Sequence, residues 1–246
     1  MRVVTLLNRV QYLKSFVYVS ERIDMVYGRE SLVVDVVPRK NGRPICSGCG
    51  LSAGIYDHQR KPRYFAFVPL WGIAVYLCYV MRRVNCPRCG VTVEAVPWCD
   101  GKGRLTKQYQ LFLAQWARRL SWLEVARVFH TSWNQVYRSV KGVVEYGLAH
   151  RNLDQISAIG VDEIQYGKGQ NYLTLVYQLG QDEKRLLYVG DKRTARSLLG
   201  FFRELGRERS SRIEYVCSDM WQAYLKVIRK KIPQALHILD RFHIVA

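Results

Sequence analysis

Two short cysteine knuckles constrain this 246-residue chain more than any other feature. Cys46-Ser47-Gly48-Cys49 and Cys86-Pro87-Arg88-Cys89 are each followed at once by a glycine, Gly50 and Gly90. A Cys-x-x-Cys step places two thiolates on one tight turn, and two such turns face to face supply the tetrahedral four-sulfur set that Zn2+ takes. The trailing glycine lets the chain reverse with its amides turned back toward the sulfurs. Thirty-six residues separate the knuckles, so they meet only if the intervening chain folds back as a hairpin. Cys78, Cys99 and His58 are the alternative donors. A site with four protein ligands is structural, because no position stays open for a reacting group. Seven cysteines without a secretory signal fit no disulfide framework and point to a reducing cytoplasm.

The chain between the knuckles must also be weighed as a membrane span. Residues 64–81 carry no charge over 18 positions, the length at which a spanning helix becomes a candidate. Pro69 and Gly72 interrupt the run, and its flanks are rich in β-branched and aromatic residues. Two strands joined by a turn suit that pattern better, and no membrane partner is expected. The formal net charge of +18 calls for a polyanion instead, nucleic acid before an anionic surface.

Residues 101–151 read as helix throughout. Tyr109, Phe112, Leu113, Trp116 and Leu120 share one face. Ser121-Trp122-Leu123-Glu124 is a capping box that opens a second helix, and Ser132-Trp133-Asn134-Gln135 repeats it with glutamine in the fourth place. Two helices separated by His130-Thr131 have the outline of a helix-turn-helix, with Val136, Val140 and Val143 expected inward on the later one. Its exposed start would offer Trp133, Asn134, Gln135 and Arg138 to double-stranded DNA, the last three suited to base edges in a major groove. Nine lysines or arginines stand against two glutamates here, an excess suited to phosphate contact. The plainer alternative is a helical linker with a solvated basic face.

From residue 152 the pattern becomes three strands in a meander, then helix, strand, helix, strand. That is the element order of a ribonuclease H-like fold, and right-handed crossovers lay its fourth strand beside its first. Asp162, in Gly160-Val161-Asp162-Glu163, and Asp219, in Cys217-Ser218-Asp219-Met220, then approach each other. Neighbouring carboxylates repel unless a cation lies between them, and oxygen ligands select Mg2+ or Mn2+. Two such ions can support phosphodiester cleavage. Taken singly, Asp219 reads equally well as a helix N-cap and Asp162 as a solvated strand-end charge.

The ordered Cys-x-x-Cys-Gly pairs, the helix-turn-helix, "GVDE", "CSDMWQAYL" and "DRFH" together resemble the ISL-three family of bacterial insertion-sequence transposases, from about residue 45 onward. The resemblance implies a multidomain α+β chain: an N-terminal region, 1–100, with a β-rich zinc finger at about 45–99; a helix-turn-helix region, 101–151; and a ribonuclease H-like DDE domain, 152–246. It implies binding to terminal inverted repeats and cutting and joining of DNA with two metal ions. By matching position, Cys46, Cys49, Cys86 and Cys89 are zinc ligands, while Asp162 and Asp219 are catalytic acids and magnesium ligands. Asp240 and His243, in the DRFH run, stand near the active site. A homo-oligomer on paired ends and a nucleoid-associated, cytoplasmic location follow from the same resemblance.

The family also requires a glutamate on a helix beyond the fifth strand. Glu204, Glu208 and Glu214 all precede Asp219 and cannot match it. The expectation is therefore a truncated transposase, inactive alone for want of its third acid. A non-catalytic DNA-binding remnant or repressor of transposition is the alternative. A zinc-ribbon transcription factor accounts for the first 150 residues and leaves the two aspartates unexplained.

Overall fold

A computed structural model describes residues 2–169, 171–180 and 184–239. The chain divides into two compact units, Met1–Ala149 and His150–Ala246.

In the first unit, α1 (Val3–Val10) precedes a long hairpin of β1 (Phe16–Val26) and β2 (Arg29–Pro38). Then come β3 (Gly54–His58), β4 (Arg63–Leu70), β5 (Ile73–Tyr79), β6 (Arg82–Cys86) and β7 (Gly90–Val93). One mixed sheet has the order β1-β2-β5-β4, with β2 and β5 parallel, and a smaller antiparallel sheet has the order β3-β6-β7. The uncharged run at 64–81 is the β4–β5 hairpin, turning at Trp71-Gly72. Among the described residues no helix is long and apolar enough to cross a membrane.

The core of this unit centres on Trp98, which is fully buried. Phe16, Phe65 and Tyr79 meet its ring edge-on, with centroids 4.9, 5.7 and 5.5 Å away. Each such pair contributes about 0.5–1.5 kcal/mol beyond its buried area. A buried polar network fastens the two sheets together beside this core. The Tyr79 hydroxyl, on β5, donates to Glu94 Oε1 at 2.5 Å, and the Arg82 amide, on β6, donates to the same oxygen at 2.8 Å. Arg82 Nε and Nη2 donate to Glu94 Oε2 at 2.8 and 2.6 Å. Burial, and then the bond to Glu94, push the Tyr79 phenol well above its ordinary pKa.

Residues 100–103 lie inside this unit. Thr106 N donates to Ala66 O and Ala66 N to Arg104 O, so the chain entering α2 (Lys107–Trp116) is pinned along β4. Then follow α3 (Trp122–Val128) and α4 (Trp133–His150). Tyr109, Leu113, Val125, Ala126 and Val136 form their shared core. Val143 differs from its expected inward place: it is exposed, as is the rest of α4 beyond Val140.

The second unit contains β8 (Ala158–Gln165), β9 (Tyr172–Gln178), β10 (Arg185–Asp191), α5 (Ala195–Leu205), the short α6 (Arg207–Ser210), β11 (Tyr215–Ser218), α7 (Gln222–Lys231) and β12 (Leu236–Leu239). Its sheet order is β10-β9-β8-β11-β12, so the fourth strand lies beside the first, as expected. β11 runs parallel to β8 and β12, whereas β8, β9 and β10 form the antiparallel meander. Leu198, Phe201, Phe202 and Leu205 of α5 and Tyr224, Val227 and Ile228 of α7 pack with Ile159, Val161, Val176 and Val216 of the sheet.

Candidate metal centres and nucleic-acid interface

The two knuckles meet because their flanking backbone pairs. Cys46 bridges Glu94, Ala95 N donates to Ile45 O and Ser47 N to Val93 O, which ties the first knuckle to the strand leaving the second. Gly50 and Gly90 adopt φ 73° and 70°, the left-handed conformation that the reversals need and that glycine takes without strain. The Sγ atoms of Cys46, Cys49, Cys86 and Cys89 all lie within 4.8 Å of one another. Cys49 and Cys86 are 3.5 Å apart, near the ~3.8 Å between sulfurs that 2.3 Å Zn–S bonds require in a tetrahedron. Amides of Arg88 and Cys89 point at the Cys86 sulfur and lower its pKa to about 7. Hydrogen bonds to Cys49 and Cys46 push Cys89 up to about 12. The group fits a soft divalent metal such as zinc. Cys78, Cys99 and His58 stand outside it.

Asp162 lies within β8, opposite Leu175, and Asp219 directly follows β11. Ser218 pairs with Val161, so Asp219 and Asp162 each follow that rung by one residue. Asp162 is exposed and accepts from the Glu163 amide at 2.8 Å. Asp219 is buried; its Oδ1 accepts from Trp221 N at 3.1 Å, forming the turn into α7. Its Oδ2 accepts from Arg193 Nη2 at 2.6 Å. Arg193 Nε also lies 2.6 Å from Glu163 Oε1, and its guanidinium stacks 4.5 Å from the Trp221 ring centre. One cation thus already lies between two carboxylates. Carboxylates are the donors a hard divalent ion takes, but Asp162, Glu163 and Asp219 are not gathered into one ligand group, and among the described residues the four cysteines alone are; Arg193 competes for Asp219. Among the described residues no acid follows Asp219. Asp240 and His243 lie outside the described residues.

Arg193 and the pairing role of Glu163 were not anticipated from the sequence. A lone arginine before a helix carries no motif. Lys192, at φ 66°, turns the chain there, and Thr194 caps α5 by accepting from Ser197 N.

In the helical segment, the Ser121–Glu124 capping box is complete in both directions. The second box is half formed. Gln135 N donates to Ser132 Oγ at 3.3 Å, but the Gln135 side-chain oxygen accepts from the Thr131 hydroxyl instead of reaching back. Trp133, Asn134 and Arg138 are exposed at the start of α4, as expected, while Gln135 is half-buried and engaged. Its availability for base contact is the one point on which this surface departs from the sequence reading. Tyr109, from α2, donates through its hydroxyl to Phe129 O at 3.1 Å and fixes the turn, where His130 takes φ 50°.

Residues 159–246 match the sequence model of a DDE transposase family of the ISL-three type, described as a transposase. The chain is 30% identical over 218 residues to the transposase for insertion sequence element IS1557 of Mycobacterium tuberculosis, covering 87% of this chain and 48% of that protein. It is 28% identical over 204 residues to the transposase for insertion sequence element IS1001 of Bordetella parapertussis, covering 82% of this chain and 49% of that protein. The chain spans about half the length of the curated relatives it matches.

Proposed function

We propose, from the transposase match over residues 159–246, that this chain acts in the transposition of a bacterial insertion sequence. In this reading, residues 1–100 and 101–151 bind terminal inverted repeats, and residues 152–246 belong to a ribonuclease H-like DDE domain that, when complete with its third acid, cuts and joins DNA. The observation that carries it is the register of β8 and β11, which sets Asp162 and Asp219 one step beyond a shared rung, inside the matched segment.

The roles follow from the geometry. Cys46, Cys49, Cys86 and Cys89 would hold Zn2+ and stiffen the small sheet without taking part in chemistry. Asp162 and Asp219 would hold Mg2+ or Mn2+, which supplies Lewis-acid stabilisation of phosphoryl oxygens and an activated water or 3′-hydroxyl. Arg193 orients Asp219 and offers a positive charge to an incoming phosphate. Asn134 and Arg138 face outward for the major groove, Trp133 beside them, and the net charge of +18 favours the DNA backbone. Assembly as a homo-oligomer on paired ends, and a nucleoid-associated cytoplasmic location, belong to the same reading. The test is a titration of inverted-repeat DNA against random DNA of equal length at fixed salt. Equal affinity for the two sinks the reading.

A second reading, a non-catalytic DNA-binding repressor, is favoured by Arg193, whose guanidinium occupies the Asp219 oxygen. Mn2+ binding by the native chain, weakened by Asp162→Asn, separates the two: it is present for the enzyme and absent for the repressor.

A further inference from the structure

Two hairpin tips in the first unit have the wrong residue for their shape. Val26 pairs with Arg29 and Leu70 with Ile73, so Tyr27-Gly28 and Trp71-Gly72 are both two-residue loops. Tyr27 and Trp71 each sit at φ 51°, followed by glycines at 77° and 80°. Positive φ at both central residues is the pattern of a type I′ turn, where Asn-Gly or Asp-Gly is preferred. A bulky aromatic residue in the left-handed region strains the backbone. Packing does not offset that strain at Trp71, whose surface is 88% exposed, and only in part at Tyr27, which is 64% exposed.

The two tips stand side by side. β2 and β5 are parallel neighbours with Ser31 opposite Ala74, so Gly28 and Trp71 each come three residues before the same rung. Behind them, Tyr27, Tyr64 and Tyr76 meet edge to face at 5.9 to 6.5 Å. Arg104 donates to the Tyr27 hydroxyl at 3.3 Å. These tyrosines, Arg104 and Arg29 line a cavity of about 590 Å³ that continues to His130 and Gln135, where the helical turn leads into α4. Among the described residues no acidic side chain lines it. The volume suits a small planar ligand.

We propose that this edge receives an unstacked nucleobase of DNA held at the start of α4, with Trp71 as the wedge between base steps and the tyrosines as the stacking wall. The inference rests on the DNA-binding reading above. Its chemistry follows from the parts. Aromatic faces stack any base, arginines pair with the neighbouring phosphates, and an exposed apolar wedge on a rigid turn opens a base step. Strain at the two tips is then the cost of holding aromatic rings outward where asparagine would close the turn more easily.

The test uses the full chain and labelled duplex DNA of random sequence, intact or carrying one unpaired adenine, with affinity read by fluorescence anisotropy. The expected result is about tenfold tighter binding of the bulged duplex, the scale of one stacked base. Trp71→Asn should bring bulged DNA down to the affinity of intact duplex while thermal stability holds or rises, because Asn-Gly suits the turn. Tyr27→Phe should keep the preference, since stacking needs the ring and not the hydroxyl. Equal binding of both duplexes by the native chain overturns this inference and leaves DNA binding standing, whereas binding of neither overturns both. A Trp71→Asn chain that keeps the preference, or loses it together with thermal stability, also overturns the inference. So does a Tyr27→Phe chain that loses the preference.

Discussion

Arg193 Nη2 donates to Asp219 Oδ2 at 2.6 Å, so a fixed side-chain cation is bound to the acid proposed to hold a mobile one. Replacing it tests the competition. Arg193→Ala should raise Mn2+ affinity, measured by electron paramagnetic resonance titration, by about tenfold, or ~1.4 kcal/mol. It should also lower stability, because Asp219 is buried and would lose a charged partner. Unchanged or weaker Mn2+ binding in a folded variant would show that Arg193 does not compete.

Metal removal should act on the first unit. Stripping zinc with a chelator, or changing Cys49→Ser, should lower the melting temperature of that unit and release one zinc per chain in a colorimetric assay. Acidification should favour loss, since the four thiols must shed protons to bind. Full zinc content in Cys49→Ser, at unaltered stability, would argue against the four-sulfur site.

Glu94→Ala should cost about 3–5 kcal/mol in denaturant unfolding, because it leaves the buried Arg82 guanidinium without its counter-charge. The double change Arg82→Met with Glu94→Leu should recover much of that loss, since no buried charge remains. A single-variant cost below about 1 kcal/mol, the level of an exposed pair, would mean that water reaches the pair.

Gly160→Ala should destabilise the second unit by about 1–3 kcal/mol, the usual cost of overpacking. Gly160 faces Tyr177 across β8 and β9, and an added Cβ would lie 2.4 Å from Tyr177 Cε2 and 2.5 Å from its Cζ. Gly160→Ala with Tyr177→Leu should restore melting. If the double variant melts no higher than the single, the ring is not the obstacle.

Much of this was legible in the sequence for a physical reason. A Cys-x-x-Cys-Gly knuckle is local, so residue type and spacing alone define it. The order of the second sheet followed from a meander plus crossover handedness, which leaves few topologies. Arg193 was not legible, because it comes within reach of Asp219, 26 residues away in the chain, only when the sheet closes. Gly160 stood out as part of a motif, but its reason is the Tyr177 ring across the strand. Gln135 was misjudged because a capping box describes one competition, and the Thr131 hydroxyl entered another. The β1–β2 hairpin was not legible, since Tyr-Gly is not a familiar turn signal. The parallel pairing of β2 with β5 joins strands separated by residues 39–72, a distance over which periodicity carries no information.

The Arg82 amide bonds to the Glu94 carboxylate, just past β7, rather than to a strand carbonyl. Its hydrogen exchange therefore reports whether the two sheets of the first unit open separately or as one cooperative block. A shared network at their junction favours the block. Loss of order at the cysteine knuckles would then register as faster exchange at Leu77, deep in a sheet that holds none of those four cysteines.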